Sequence, residues 1–206
     1  MLDDYEDYVH LRLFRLMVKP FMGFNPNTLS LFSFAFALLT GATIALELLP
    51  VAMLALLLSM FFDGIDGYVA RQQNKTSELG FLTDHVLDRL SDIVIFVGIG
   101  AAYGNWLPAL LAVIVAVFSS YVGVLGRIYH LKQDKAGLFN RTNRIYLLLI
   151  TLLAMSLWSS QALAIINGYL LLAIVTGSLT SANRLRRLFA AVARLGKDAP
   201  ADTAAP

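Results

Sequence analysis

The chain has no cysteine, so it can form neither a disulfide nor a thiolate metal site. Charged residues are also scarce: they make up 15% of the 206 residues, whereas a soluble domain carries roughly a quarter. Hydrophobic residues account for 58% of the chain, and this excess indicates a surface that faces lipid. The net charge of +2 is too small to indicate a nucleic-acid partner, and we expect none.

An amphipathic segment occupies residues 3–22. Leu11, Phe14 and Val18 recur at helical spacing, and Arg15 belongs to the opposite, basic face. This pattern predicts a helix that lies in the membrane interface, and a solvated helical tail is the alternative.

Six apolar segments follow, each long enough to cross a bilayer core that takes roughly 20 helical residues. They lie at 28–48, 51–71, 80–102, 106–130, 144–160 and 162–185. Together they predict an all-α integral membrane protein with six transmembrane helices, preceded by the amphipathic juxtamembrane helix. The membrane domain is expected at residues 27–190, and the Ala/Pro-rich residues 197–206 are expected to be disordered.

The basic residues predict an orientation. Of the 16 lysines and arginines, all except Arg89 fall on one side of the six-span arrangement. Cytoplasmic loops carry the excess of basic residues in membrane proteins. We therefore expect a multi-pass protein of the cell membrane, with both termini and the loop between the second and third spans on the cytoplasmic side.

Four carboxylates lie where the second and third spans meet. Asp63 and Asp66 are three residues apart and share a helix face, and Asp84 and Asp88, four apart, share another. A short loop makes the two helices antiparallel neighbours, so the carboxylates can converge at one depth. Ionisable groups within a membrane are costly, and they mark functional sites.

Four neighbouring carboxylates cannot all ionise without a compensating charge, and only Arg71 and Arg89 are expected near them. A divalent cation supplies that charge, and oxygen ligands without His or Cys favour Mg²⁺, Mn²⁺ or Ca²⁺ over zinc. A metal that bridges phosphates beside a free carboxylate base recurs in phosphoryl transfer. Gly67 and Ala70 leave room for a phosphate or nucleotide against the helix, and Arg71 can pair with a phosphate oxygen.

The spacing Asp-x-x-Asp-Gly-x-x-Ala-Arg, eight residues, Gly-x-x-x-Asp-x-x-x-Asp resembles the signature of the CDP-alcohol phosphotransferases. Every fixed position is filled, by Asp63, Asp66, Gly67, Ala70, Arg71, Gly80, Asp84 and Asp88. The six-span layout extends the resemblance over nearly the whole chain. It implies a homodimeric membrane enzyme of phospholipid synthesis that transfers a group from a CDP-linked donor to an alcohol and releases CMP.

The resemblance also implies roles for single residues. A metal site of two Mg²⁺ or Mn²⁺ ions would be held by Asp63, Asp66, Asp84 and Asp88. The catalytic residue would be Asp88, which would take the acceptor hydroxyl proton as a general base. The implied CDP-binding residues are Asn27, on a looser match, and Asp66, Gly67, Ala70, Arg71 and Gly80.

The substrates follow less closely from the resemblance. The implied donor is a CDP-linked lipid, either CDP-diacylglycerol or an archaeal ether analogue, and the acceptor is a small polar alcohol. Asp88-Arg89-x-x-Asp92 and residues 137–144 resemble members that use inositol phosphate, whereas residues 120–127 depart from them. The sequence leaves four acceptors possible: inositol phosphate, glycerol phosphate, serine and another inositol-type alcohol. Contacts to an acceptor phosphate are expected from Arg127, Arg141 and Arg144, although the last two are alternatively basic anchors at the membrane surface.

Three other functions compete with this one. In the first, the roles of lipid and alcohol are exchanged, and the enzyme transfers a group from a soluble CDP-alcohol to a lipid acceptor. An ion-coupled transporter also carries intramembrane acids, but the latter half of the chain has no second carboxylate motif. A non-catalytic membrane scaffold would not need Asp, Gly, Ala and Arg at these spacings.

Overall fold

The computed structural model describes residues 16–128 and 140–198, with side chains to residue 193. Within these residues every regular element is helical, and six long α-helices form a bundle. We number them α1 (Pro26–Ala45), α2 (Leu49–Gln72), α3 (Glu78–Tyr103), α4 (Trp106–Ile128), α5 (Arg141–Leu157) and α6 (Ala162–Asp198).

The helices follow the six predicted segments to within three residues at every end except the end of α6. Helix α5 begins at Arg141, three residues earlier than expected, and α6 continues to Asp198. Most of the predicted juxtamembrane helix falls on residues 3–15, outside the described residues, which begin with a short helical turn before the 3₁₀ turn Lys19–Phe21. Residues 199–206 of the expected tail also lie outside them.

Four segments are long and apolar enough to cross a membrane: Pro26–Ala45, Leu49–Gln72, Trp106–Ile128 and Ser159–Ala193. The other two long helices differ from these. Helix α3 carries Asp88, Arg89 and Asp92, and α5 has 17 residues. The chain is therefore an all-α protein with four candidate spans among the described residues, and the count of six spans stays a prediction.

Three helices begin at the end of the bundle where α2 ends, and each start is capped by a side chain. Asn25 accepts the Asn27 N–H before α1, Ser77 accepts the Gly80 N–H before α3, and Asn140 accepts the Asn143 N–H before α5. Such caps satisfy N–H groups that have no partner within the helix. We call this end of the bundle the motif end, because the motif acids lie there.

A close crossing of two helices positions α3. Helix α1 packs on both α2 and α3. A Cβ added at Gly98 of α3 would strike the backbone of Gly41 on α1, and a Cβ at Gly41 would strike the Val94 carbonyl. Small residues allow such approach between membrane helices. The crossing thus fixes how α3 presents Asp84 and Asp88 to its neighbours.

Candidate active site

Three of the four motif carboxylates come together at the motif end. Asp63 extends from α2, and Asp84 and Asp88 extend from successive turns of α3. One oxygen of each lies within 4.8 Å of the others. This all-oxygen donor set fits a hard divalent cation such as Mg²⁺ or Mn²⁺. The spacing of the acids predicts that all four converge, and three of them do so.

Asp66 lies beside this cluster of three and points towards α1. Its side chain is only 7% exposed. One carboxylate oxygen accepts the Ser30 hydroxyl at 2.5 Å, and the other accepts the Gly67 N–H at 2.5 Å. The structure therefore gives Asp66 two protein donors. Ser30 was not expected at the site, since nothing in its local sequence distinguishes it.

A cavity of about 180 Å³ opens between the starts of α1 and α3 and the end of α2. All six residues expected to bind CDP line it: Asn27, Asp66, Gly67, Ala70, Arg71 and Gly80. Asp84 also lines it, so the cavity adjoins the carboxylate cluster. The N-terminal ends of α1 and α3 border it as well, and a helix N-terminus favours an anion. The cavity can therefore hold an anionic ligand beside the acids.

The small residues of the motif keep this cavity open. A Cβ at Gly80 would lie 3.2 Å from the Ser77 hydroxyl oxygen and 3.6 Å from the Asn27 side-chain oxygen. A Cβ at Gly67 would lie 3.4 Å from an Arg71 guanidinium nitrogen. A side chain at position 80 would therefore press on the Ser77 cap, and one at position 67 would contact the Arg71 side chain.

Arg141 makes contacts that the sequence did not predict. One of its guanidinium nitrogens, Nη1, lies 2.7 Å from an oxygen of Asp63 and 2.7 Å from an oxygen of Asp88. The expectation that only Arg71 and Arg89 lie near the acids is wrong, because α5 begins at the motif end. The positive-inside pattern had already placed Arg141 on that side of the chain, and the cap residue Asn140 marks the helix start.

A second group of charged side chains lies one helical turn further from the motif end than the carboxylate cluster. Arg144 of α5 lies 2.6 Å from Asp92 of α3, and their side chains are 7% and 4% exposed. Arg89 lies 3.3 Å from Asp92 and 3.6 Å from Asp88, and it also donates to the Ser120 hydroxyl of α4. Asp92 is therefore the shared partner of two arginines.

The three arginines expected to contact an acceptor phosphate are separated in the structure. Arg141 lies on the carboxylate cluster, and Arg144 lies in the buried pair. The exposed Arg127 places its guanidinium carbon 4.0 Å from the ring centre of Phe81, which lines the cavity. Two of the three thus border the cavity or the acids, and the third is held by Asp92.

The sequence of the chain is similar to those of known proteins. The sequence model of the CDP-alcohol phosphatidyltransferase family matches residues 24–179. Archaetidylinositol phosphate synthase of Pyrococcus horikoshii is 29% identical over 130 residues, which cover 63% of this chain and 69% of that protein.

The fold is also that of a solved protein. The crystal structure of Mycobacterium tuberculosis phosphatidylinositol phosphate synthase with CDP-DAG bound matches with a TM-score of 0.72 at 18% identity, covering 86% of this chain and 92% of that one. The structure of the same protein with manganese and citrate also has a TM-score of 0.72 and 18% identity, and covers 86% and 88%.

Proposed function

Because the chain belongs to the CDP-alcohol phosphatidyltransferase family, we propose that it transfers a lipid phosphatidyl group from a CDP-linked lipid to a phosphorylated polyol and releases CMP. It is a transferase of phospholipid synthesis and a multi-pass membrane protein. One observation carries the proposal: the cluster of Asp63, Asp84 and Asp88 adjoins a cavity lined by all six expected CDP-binding residues.

The donor nucleotide occupies the cavity in this proposal. Asn27 and Gly80 line the part between α1 and α3, where a side chain at position 80 would intrude. Arg71 pairs with a phosphate oxygen of the donor, as a guanidinium does in charge-assisted hydrogen bonds. The Mycobacterium tuberculosis protein of the same fold was solved with CDP-DAG, and this supports CDP-diacylglycerol, or an archaeal ether analogue, as the donor.

Asp63, Asp84 and Asp88 would hold divalent cations, with Asp66 contributing from the cavity side. Two Mg²⁺ or Mn²⁺ ions suit this oxygen-only set, and the relative of the same fold was solved with manganese. The chemistry that bound cations supply is neutralisation of the diphosphate and stabilisation of the CMP leaving group.

The chain's own residues then perform the proton transfer and the positioning. Asp88 takes the proton of the acceptor hydroxyl as a general base. The acceptor oxygen forms a bond to the β-phosphorus of the donor, and the bond from that phosphorus to the CMP oxygen breaks. Asp88 is 16% exposed and borders the other two carboxylates, so a hydroxyl that reaches the cluster can reach it.

We assign the acceptor as inositol phosphate. The relative from Pyrococcus horikoshii is named for archaetidylinositol phosphate, and the solved relative for phosphatidylinositol phosphate. Arg127 and Arg141 border the site and suit an acceptor phosphate. Arg144 pairs with Asp92, so its proposed role is structural: it fixes the start of α5 against α3.

The placement in the cell follows from the basic residues. We propose six spans, with both termini and the active site on the cytoplasmic side of the cell membrane. Arg71, Arg127 and Arg141 all lie at the motif end, which supports this orientation. The functional unit is proposed to be a homodimer, as the family resemblance implies.

The test is CMP release by purified protein in detergent. CDP-diacylglycerol is supplied with inositol phosphate, glycerol phosphate, serine, inositol or glycerol, each with Mg²⁺ and with chelator. We expect metal-dependent CMP release with inositol phosphate, and no turnover by Asp88→Asn although that variant still folds. Release with another acceptor alone would correct the acceptor. CMP release only from a soluble CDP-alcohol with diacylglycerol would mean that the donor is the alcohol and the acceptor is the lipid. A protein that binds neither kind of donor would contradict the proposal.

A further inference from the structure

Arg141 and a divalent cation would use the same carboxylates. The Nη1 nitrogen of Arg141 lies 2.7 Å from oxygens of both Asp63 and Asp88. These two residues, with Asp84, are the group whose oxygens lie within 4.8 Å of one another. The guanidinium and a cation would therefore compete for the negative charge of the same two carboxylates.

The Arg141 contact is more exposed than the neighbouring ion pair of Arg144 and Asp92. Arg144 and Asp92 are 7% and 4% exposed and closed from solvent. Arg141 and Asp63 are 15% and 33% exposed, so a cation in solution has access to this contact. Among the described residues, the Nε of Arg141 has no hydrogen-bond partner although it is buried, and the same holds for the Nε of Arg89. Buried polar groups are usually paired, and an unpaired donor needs an explanation.

In the absence of a cation, the positive charge of Arg141 reduces the repulsion among the three carboxylates. Three carboxylates this close repel one another, and Arg141 contributes a positive charge in direct contact with two of them. A divalent cation carries twice that charge and ligates the oxygens directly, so it can replace the guanidinium. The deeper pair of Arg144 and Asp92 does not share these acids and can stay in place during the exchange.

We infer that Arg141 is an internal counter-ion of the metal site, which neutralises Asp63 and Asp88 in the metal-free protein and leaves them when a divalent cation binds. The inference rests on the metal site of the proposed function. It makes Arg141 a competitor of the cation. It also couples occupancy of the site to the first turn of α5, while the Arg144 contact holds the rest of that helix.

The experiment measures Mn²⁺ affinity without substrates, from the electron paramagnetic resonance signal of free Mn²⁺ in titrations of the purified protein in detergent. Removal of a competing charge should tighten binding, so we expect Arg141→Gln to lower the Kd on the order of tenfold. The matched control is Arg127→Gln, which removes the same charge at the same end of the bundle but away from the acids. Its Kd should change by less than about twofold, because exposed charges are screened.

Thermal unfolding gives a second measurement on the same samples. Metal-free Arg141→Gln should melt below the wild type, and added Mn²⁺ should raise its melting temperature by more than it raises that of the wild type. Asp84→Asn should bind Mn²⁺ more weakly, which shows that the titration reports this site.

The outcomes separate the inference from the proposed function. If wild type binds Mn²⁺ and Arg141→Gln binds with equal or weaker affinity, Arg141 is not a competitor and the inference is overturned. If neither protein binds Mn²⁺, the proposed metal site falls together with the inference.

If Arg141→Gln does not accumulate as folded protein, Arg141→Lys replaces it, because a single ammonium is a weaker match to two carboxylates. A lysine variant with tighter binding supports the inference, and one with the wild-type Kd or a weaker one overturns it.

Discussion

Ser30 of α1 donates its hydroxyl hydrogen to a carboxylate oxygen of Asp66 on α2, over a distance of 2.5 Å and away from solvent. This hydrogen bond joins two helices at the wall of the cavity. It also fixes one of the two Asp66 oxygens, while the Gly67 N–H fixes the other. The motif carboxylate that lies outside the cluster of three is therefore held by its surroundings, and Ser30 is a positioning residue for it.

Ser30→Ala should loosen Asp66 without removing it. A buried acceptor that loses its donor costs about 1–3 kcal/mol, so we expect a melting temperature lower by several degrees and a higher KM for the CDP-linked lipid. Ser30→Thr keeps the hydroxyl and should restore the KM. The measurements are CMP release over a range of donor concentrations and thermal unfolding in detergent. An alanine variant with the wild-type KM, or a threonine variant no better than alanine, would contradict this role.

Much of the fold could be predicted, because apolar length and charge position depend only on local sequence. The family resemblance also implied that Asn27, Gly67 and Gly80 share one pocket, and all three line the cavity in the structure. The partners of the acids could not be read in the same way. Arg141 is 78 residues from Asp63, and its contact depends on how α5 packs beside α2, which no local pattern records.

Gly98→Ala tests the crossing of α1 and α3. Its Cβ would strike the Gly41 backbone, and a backbone cannot move aside as a side chain can. Extra volume forced into a well-packed contact lowers the free energy of unfolding by about 1–3 kcal/mol, and we expect a loss in this range for Gly98→Ala. Gly168→Ala is the control, since a Cβ there meets nothing within 4 Å. We expect Gly98→Ala to lower the melting temperature and Gly168→Ala to leave it unchanged or raise it. Equal melting temperatures for the two variants would mean that the crossing is not close.

Gly80→Ala tests the donor pocket without touching a carboxylate. The added carbon would lie 3.2 Å from the Ser77 oxygen that caps α3, and close to the Asn27 side chain. We expect a higher KM for the CDP-linked lipid, with a smaller change in kcat, because the Ser77 and Asn27 side chains would have to shift at the wall of the pocket. Gly64→Ala on α2 is the control, because a Cβ there meets nothing within 4 Å. The pocket assignment would be wrong if the two variants had the same KM.

The buried group around Asp92 predicts an asymmetry between its partners. Asp92 faces both the buried Arg144 and the half-buried Arg89, so Asp92→Asn removes the anion that the two arginines share. Arg144→Leu leaves Asp92 still paired with Arg89. Removal of one partner from a buried ion pair costs about 3–5 kcal/mol, so Asp92→Asn should lower the melting temperature more than Arg144→Leu does.

The double variant Asp92→Leu/Arg144→Leu distinguishes a stabilising pair from two costly charges. Hydrophobic replacement of a whole buried pair is often neutral or stabilising. Here Arg89 keeps its contacts to Asp88 and the Ser120 hydroxyl. We therefore expect the double variant to melt above Asp92→Asn in the same detergent. If its loss of stability instead equals the sum of the losses of Asp92→Leu and Arg144→Leu, each measured alone, the two side chains act independently. The 2.6 Å contact would then contribute nothing to holding α5 against α3.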